Sequence, residues 1–325
     1  MRIALYTLGG TIAMAGTGAG GVVSRLTGAD LTAAVPGLGE IPLDVRDVEA
    51  VPSAALAYGQ ILELVDAAGA AVTGGAAGVV VTQGTDTLEE TAYLADLVWP
   101  HPAPLVFTGA MRNPTLAGPD GPANLLAAAR VAAAPAARDL GVLVAFNDEI
   151  HAARFVRKTH STSTATFASP DAGPLGHVIE GEVRLLTRPP RHAPLPPPDA
   201  ARLAATRVAL HTVTLDDDPA LLDLVARDRD GLVVAGFGVG HVPPAFAPVL
   251  GALAERMPVV LTSRTGAGSV LRHTYGAVGS ETDLRRRGVI WGGLLDPYKA
   301  KVLLRLLVAG GAGPAEVAEA FARHG

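Results

Sequence analysis

The chain has 325 residues, 49% of them apolar and 18% charged, with a formal net charge of −5. That length exceeds one ordinary core and suits two domains, and the composition excludes a disordered chain. Cysteine is absent and no basic stripe occurs, which rules out disulfides, a thiolate nucleophile and Cys-ligated zinc and argues against nucleic acid as a partner.

The first apolar run spans 3–8, and later runs cover 78–82, 105–108 and 142–146. None alternates with period 2, which is how parallel strands covered on both faces read. The chain reaches Gly9-Gly10 at once, too soon for a signal-peptide core, and no stretch approaches a membrane span. A cytoplasmic protein with no membrane partner is expected. Helical patterns over 55–70, 87–98 and 120–134 alternate with the strands, as in a doubly wound α/β domain. Two capping boxes set the helix phase: Thr27-x-x-Asp30 before Leu31, and Thr87-x-x-Glu90 before Ala92, Leu94, Ala95 and Val98. The second places Thr85 and Asp86 at a helix N-terminus, where free N–H groups and the helix dipole favour anions.

From 150 to 187 the pattern turns polar and β-like, at Arg154-Phe155-Val156, Thr164-Ala165-Thr166-Phe167 and Glu182-Val183-Arg184-Leu185-Leu186. Extra strands or a hairpin extension are expected there. Asp148, Glu149 and His151 come nearest to a metal cluster, but the histidines show no HExxH spacing and no metal is expected. The Pro-rich stretch 188–198 reads as a semi-rigid linker, or by composition alone as a ligand for a Pro-binding module. Beyond it, strand runs at 206–210, 231–235 and 258–262 alternate with helical patterns over 218–227, 245–255, 296–308 and 314–323. The expected architecture is α/β: a larger N-terminal domain over 1–187 with a doubly wound, mostly parallel sheet, a linker over 188–205, and a smaller C-terminal α/β domain over 206–325.

Two strings carry the chemistry. Thr7-Leu8-Gly9-Gly10-Thr11-Ile12-Ala13 follows the first strand, and Thr82-Gln83-Gly84-Thr85-Asp86-Thr87-Leu88-Glu89-Glu90 follows the second. Each sets a threonine just past a strand's carboxyl end, where open α/β sheets bind ligands. A threonine hydroxyl is a weak nucleophile and needs a base. Lys158, in Val156-Arg157-Lys158-Thr159, is the candidate base, held by Asp86. Two hydroxyls, a carboxylate and an amine can open an amide through a covalent ester. The plainer reading makes both threonines turn or cap residues.

Thr-Leu-Gly-Gly-Thr-Ile-Ala (7–13) and Gln83-Gly84-Thr85-Asp86-Thr87-Leu88-Glu89-Glu90 resemble the two signatures of the bacterial asparaginase/glutaminase family. Further strings match in collinear order: Ala34-Val35-Pro36, Thr108-Gly109-Ala110-Met111-Arg112, Asp120-Gly121-Pro122-Ala123-Asn124-Leu125, Asn147-Asp148, Lys158-Thr159, Ala165-Thr166-Phe167, Gly173-Pro174-Leu175-Gly176 and Ser263-Arg264-Thr265-Gly266. The resemblance implies a two-domain α/β enzyme that releases ammonia from the side-chain amide of L-asparagine, without a cofactor. It implies that Thr11 is the nucleophile and that Thr85 is the second catalytic hydroxyl, bonded to Lys158. Asp86 would grip the substrate α-ammonium and Ser53 its α-carboxylate. The carbonyl of Ala110 would hold the departing nitrogen, and Gly10 and Gly84 would line the pocket. The Thr85 N–H and a water would donate to the oxyanion, a contribution of about 3–4 kcal/mol per donor. It also implies a homodimer or homotetramer whose site is completed by a neighbouring subunit, here through Gly238-Val239-Gly240-His241 and Ser280-Glu281-Thr282. Where the family often has asparagine this chain has His241, and Glu281 stands at the family's glutamate.

The chain departs from that pattern in two places. The Gly-rich segment 14–24 reads as a lid, yet no tyrosine occurs between Tyr6 and Tyr58, where many relatives carry one that activates the first threonine. Tyr275 of an adjacent subunit is one substitute. Ala54 follows Ser53 where many relatives have a glutamine that contacts the substrate amine. Its loss predicts an asparagine affinity weaker by about 1 kcal/mol and low glutaminase activity. Two other readings stand beside the enzyme. Gly16-Thr17-Gly18-Ala19-Gly20-Gly21 fits a dinucleotide fingerprint, but no helix follows it directly. An inactive relative that binds an amino acid, or an amidohydrolase for another amide such as glutamine, has the same threonine strings.

Overall fold

The computed structural model describes residues 2–15, 23–24, 27–33, 35–48 and 51–325. The dinucleotide-like string at 16–21, most of the expected lid and Ala34 lie outside the described residues. The chain divides into two compact units, one ending at Leu195 and one spanning Pro196–Gly325. That division falls inside the stretch read as a linker.

Unit 1 begins with β1 (Arg2–Thr7), the short pair β2 (Met14–Ala15) and β3 (Val23–Ser24), α1 (Gly28–Ala33) and β4 (Leu43–Asp47). It continues through α2 (Tyr58–Thr73), β5 (Ala76–Thr82), α3 (Leu88–Val98), β6 (Leu105–Thr108), α4 (Gly121–Ala133) and β7 (Val142–Phe146). The polar region supplies β8 (Glu149–Ala152), β9 (Arg157–Lys158), β10 (Phe167–Ala168), β11 (Gly176–Ile179) and β12 (Glu182–Leu185). Eight strands form one sheet in the order β12-β11-β8-β7-β6-β5-β1-β4. The five from β4 to β7 are parallel, and the β12 end is an antiparallel extension.

Helices cover both faces, which is why the strands read as unbroken apolar runs. Ile3, Leu5, Val80, Val106 and Leu143 share a core with Leu125, Ala128, Ala129 and Ala132 of α4. Tyr6 points the other way, and its hydroxyl donates to the Ala67 carbonyl of α2 at 2.8 Å. The helix start at Thr27 follows the expected capping box: the Thr27 N–H and hydroxyl donate to Asp30 Oδ2 at 2.9 and 2.7 Å, and the Asp30 N–H returns to Thr27 Oγ1 at 3.2 Å. Arg154-Phe155-Val156 is not a strand but the turn between β8 and β9. Its neighbours pair instead: Arg157 and Lys158 with Ala168 and Phe167.

The Pro-rich stretch is bound to unit 1 rather than loose. Arg188 donates to the Ala136 and Arg138 carbonyls at 2.6 and 2.7 Å, Arg191 to those of His101 and Trp99, and the Leu195 N–H to Leu97 at 2.6 Å.

Unit 2 comprises α5 (Ala200–Ala205), β13 (Val208–Thr212), α6 (Ala220–Ala226), β14 (Gly231–Gly236), α7 (Phe246–Ala254) and β15 (Val259–Ser263). It ends with α8 (Glu281–Arg286), β16 (Ile290–Trp291), α9 (Pro297–Gly310) and α10 (Pro314–His324). Its four parallel strands lie in the order β13-β14-β15-β16. Leu232, Val234, Val259 and Leu261 join Phe246, Leu250 and Leu253 of α7, Leu222 of α6 and Leu284 of α8 in a separate core. Helix α5 occupies 200–205, the end of the expected linker, capped by Asp199, whose side chain accepts the Arg202 N–H at 3.0 Å. Among the described residues no helix is long and apolar enough to cross a membrane.

Candidate active site

The parallel strands run in the order β4-β1-β5-β6-β7. From β1 the chain crosses to one side and from β5 to the other, so the two strands flank a topological switch point, where such sheets bind ligands. Thr7 stands level with Thr82, and the Leu8 N–H donates to the Thr82 carbonyl at 2.9 Å. The two motif strings therefore leave the sheet side by side.

After β1 the backbone turns through Gly10 at φ +90°, and Thr11 opens a single 3-10 turn (Thr11–Ala13). A Cβ on Gly10 would lie 2.3 Å from the Gly84 nitrogen, so the turns touch backbone to backbone. One on Gly84 would lie 2.8 Å from Ser53 Oγ. Only residues without side chains fit this approach. Gly10 and Gly84 thus bring the turns that carry Thr11, Thr85 and Ser53 into one region.

Thr85 is buried, and Lys158 Nζ donates to its Oγ1 at 2.9 Å. The same ammonium lies 3.4 Å from Asp86 Oδ1. Lys158 is mostly covered, whereas the Asp86 carboxylate is 66% exposed and open to a ligand. Ser53 begins a 3-10 turn (Ser53–Ala55) beyond β4. Its Oγ accepts the Asp86 N–H at 3.1 Å, which leaves its own proton for an acceptor. The Thr87 hydroxyl donates to the Ser53 carbonyl at 2.9 Å. This corrects the expected capping box, because the Thr87 side chain makes no cap bond to its own helix; its hydroxyl pins Ser53 instead. Buried Gln83 supports the turn, donating to the Gly84 carbonyl and to Thr87 Oγ1 (3.3 Å each) and accepting from the Thr91 hydroxyl at 2.9 Å.

Ala110 follows β6 and is fully buried. The Asn124 amide donates to the Gly109 carbonyl at 3.0 Å, and the Met111 and Arg112 N–H groups donate to the Asp120 carboxylate. Beside this turn a pocket of about 80 Å³ lies among Ile12, Leu31, Val35, Pro122 and Leu125.

In unit 2, Glu281 is buried. Its carboxylate accepts the Thr274 and Tyr275 N–H groups at 2.8 and 2.6 Å and lies 3.4 Å from His241 Nε2. Burial pushes its pKa up, but the backbone N–H groups of Tyr275, Glu281 and Thr274 and the nearby His241 outweigh it and hold the carboxyl below its usual range. The half-exposed Tyr275 ring meets His241 edge-on, centroids 4.9 Å apart.

His151 is buried between Ser169 Oγ (2.9 Å) and Glu149 Oε2 (3.1 Å). Among the described residues no three His, Asp or Glu side chains converge as a metal requires. Sequence reasoning missed Gln83, Asn124 and Asp120, which bond backbone groups of these turns as well as neighbouring side chains, and Glu89, whose partner Lys158 lies 69 positions away.

Comparison with known proteins places this geometry among relatives. Residues 2–191 match the family model for the asparaginase N-terminal domain, and 207–321 match the glutaminase/asparaginase C-terminal domain. The chain is 33% identical to L-asparaginase of Bacillus licheniformis over 318 residues, 95% of each protein. It is 35% identical to L-asparaginase 2 of Escherichia coli over 252 residues, covering 76% of this chain and 70% of that one. A crystal structure of a probable cytoplasmic L-asparaginase from Campylobacter jejuni superposes with a TM-score of 0.86 at 32% identity, covering 99% of both chains.

Proposed function

The chain belongs to the asparaginase/glutaminase family, and from that premise we propose that it is an L-asparagine amidohydrolase working through a threonine ester. The observation that carries this reading is the Thr85–Lys158–Asp86 cluster at the switch point, beside the turn that carries Thr11. Asp86 takes the substrate α-ammonium, Ser53 its α-carboxylate, and the Ala110 carbonyl orients the side-chain amide.

Thr11 Oγ1 attacks the amide carbon. A C–O bond forms, the hydroxyl proton is lost, and the carbonyl oxygen becomes an oxyanion that accepts from the Thr85 N–H and a water. The C–N bond then breaks, and the nitrogen takes up a proton and leaves as ammonia. Water adds to the ester, a proton returns to Thr11, and aspartate departs. Thr85 and Lys158 carry protons through these steps, along the contact between Lys158 Nζ and Thr85 Oγ1. The same reading gives a homodimer or homotetramer, with unit 2 of a neighbour completing the site near His241 and Glu281. It also gives a cytoplasmic location, as described for the Campylobacter jejuni relative.

Ammonia release from asparagine and glutamine tests it. Thr11→Ala and Thr85→Ala should each cut asparagine turnover by roughly 10²–10⁴-fold. An acid quench of the wild type should trap an aspartyl ester on Thr11. Glutamine should be the poorer substrate. Full turnover in either variant would reject the assignment. Calorimetric asparagine binding without ammonia would make the protein a binder rather than an enzyme.

A further inference from the structure

We propose that Glu89 is a positioning residue that sets Lys158 against Thr85; the proposal rests on the catalytic reading of that pair. Glu89 lies in the first turn of α3, and its side chain is 8% exposed. Its carboxylate accepts the Lys158 backbone N–H at 3.3 Å and lies 4.0 Å from Arg157 Nε. A carboxylate this buried is costly unless its partners hold it.

The strand that carries Lys158 needs such an anchor. β9 has two residues and, among the described residues, pairs only with the two of β10. A ribbon that short does not fix itself. The Lys158 N–H points away from β10 toward Glu89, while the neighbouring Thr159 N–H donates to the Thr166 carbonyl at 2.8 Å. The lysine stem is long and flexible, so Nζ keeps its place only if the root of the side chain is fixed.

Glu89 supplies that fix from the right element. Asp86 lies three residues before it, in the turn that leads into the same helix, and Thr85 precedes Asp86. One rigid turn thus presents the Thr85 hydroxyl and, through Glu89, grips the backbone of Lys158. The gap between the hydroxyl and the amine becomes a property of α3 rather than of the mobile stem. A shift of about 1 Å at this point can cost 10²-fold in rate.

The test is a double-mutant cycle on the full-length protein: wild type, Glu89→Ala, Lys158→Met and the double variant. Assays use enzyme concentrated enough to follow slow ammonia release. Glu89→Ala should lower kcat for asparagine roughly 10–100-fold and change KM much less. Glu89→Gln, which keeps an acceptor oxygen for the Lys158 N–H, should recover most of that loss. In the Lys158→Met background, Glu89→Ala should remove less than about twofold more, because its route to the chemistry is already cut. Losses that multiply would overturn the proposal, as would wild-type kcat in Glu89→Ala beside an inactive Lys158→Met. Wild-type turnover in Lys158→Met would instead reject the catalytic pair and the proposal with it. Thermal melts check folding; if Glu89→Ala fails to fold, Glu89→Asp takes its place in the cycle with the same criteria.

Discussion

Gly10 shows how little room a single position has at this site. Its φ is +90° and a Cβ there would sit 2.3 Å from the Gly84 nitrogen. Both the torsion and the clash penalise any side chain, so Gly10→Ala should destabilise the protein by about 2–4 kcal/mol and depress turnover as the Thr11 and Thr85 turns part. Urea unfolding with a parallel ammonia assay checks this; an unchanged midpoint would show that the turns can separate freely. At this scale residue types were legible and partners were not. Two hydroxyls, an acid and an amine could be picked out of the motifs, and Lys158 does reach Thr85 and Asp86. The Thr27 hydroxyl bonds Asp30 three residues on, whereas the Thr87 hydroxyl found the Ser53 carbonyl, 34 residues away, which no local pattern reveals.

The buried strands were legible because helices on both faces leave only apolar runs: 105–108 and 142–146 are β6 and β7 as read, and β1 and β5 differ by a residue or two. The edge strand β4 escaped notice because Asp44, Arg46 and Asp47 interrupt it, as an edge position permits. Helix α2 starts at Tyr58 rather than 55 because the Ser53–Ala55 turn intervenes and the Gln60 side chain accepts the Ala57 N–H at 2.7 Å. The Pro-rich stretch was legible as irregular chain but not as one tied down by arginines. Arg191→Ala leaves the Trp99 and His101 carbonyls without that guanidinium and should cost unit 1 about 1–3 kcal/mol. Urea unfolding followed at Trp99 measures it; an unmoved midpoint would mean the strap adds nothing.

Each unit carries its own core and one of the two tryptophans, Trp99 or Trp291, so the units can be followed separately. In unit 2, burial pushes Asp217, Glu281 and Asp283 up, but hydrogen bonds and neighbouring cations outweigh it and leave all three below the usual carboxylate range. In unit 1 the carboxyl of the exposed Asp30 is lowered as well, through its bonds to Thr27. A lowered native pKa adds stability that is fully present above the unfolded value of about 4 and is lost as pH falls through the native one. Unit 2 should therefore lose stability as pH falls below about 4, read as a falling urea midpoint in the Trp291 fluorescence of a Trp99→Phe variant. A midpoint that does not move between about pH 6 and pH 3 would mean that those three carboxylates do not govern acid unfolding.

The neighbourhood of β1 and β5 acts as a ruler. Hydrogen-bonded strands lie about 4.8 Å apart whatever their side chains, so the span between the turns that end them is a constant of the peptide backbone. Laboratory selection for bulkier amides would gain nothing from recutting the sheet beneath. Its successes should collect in the turns after β4 and β6, which carry Ser53 and Ala110 and where chain length is free to vary.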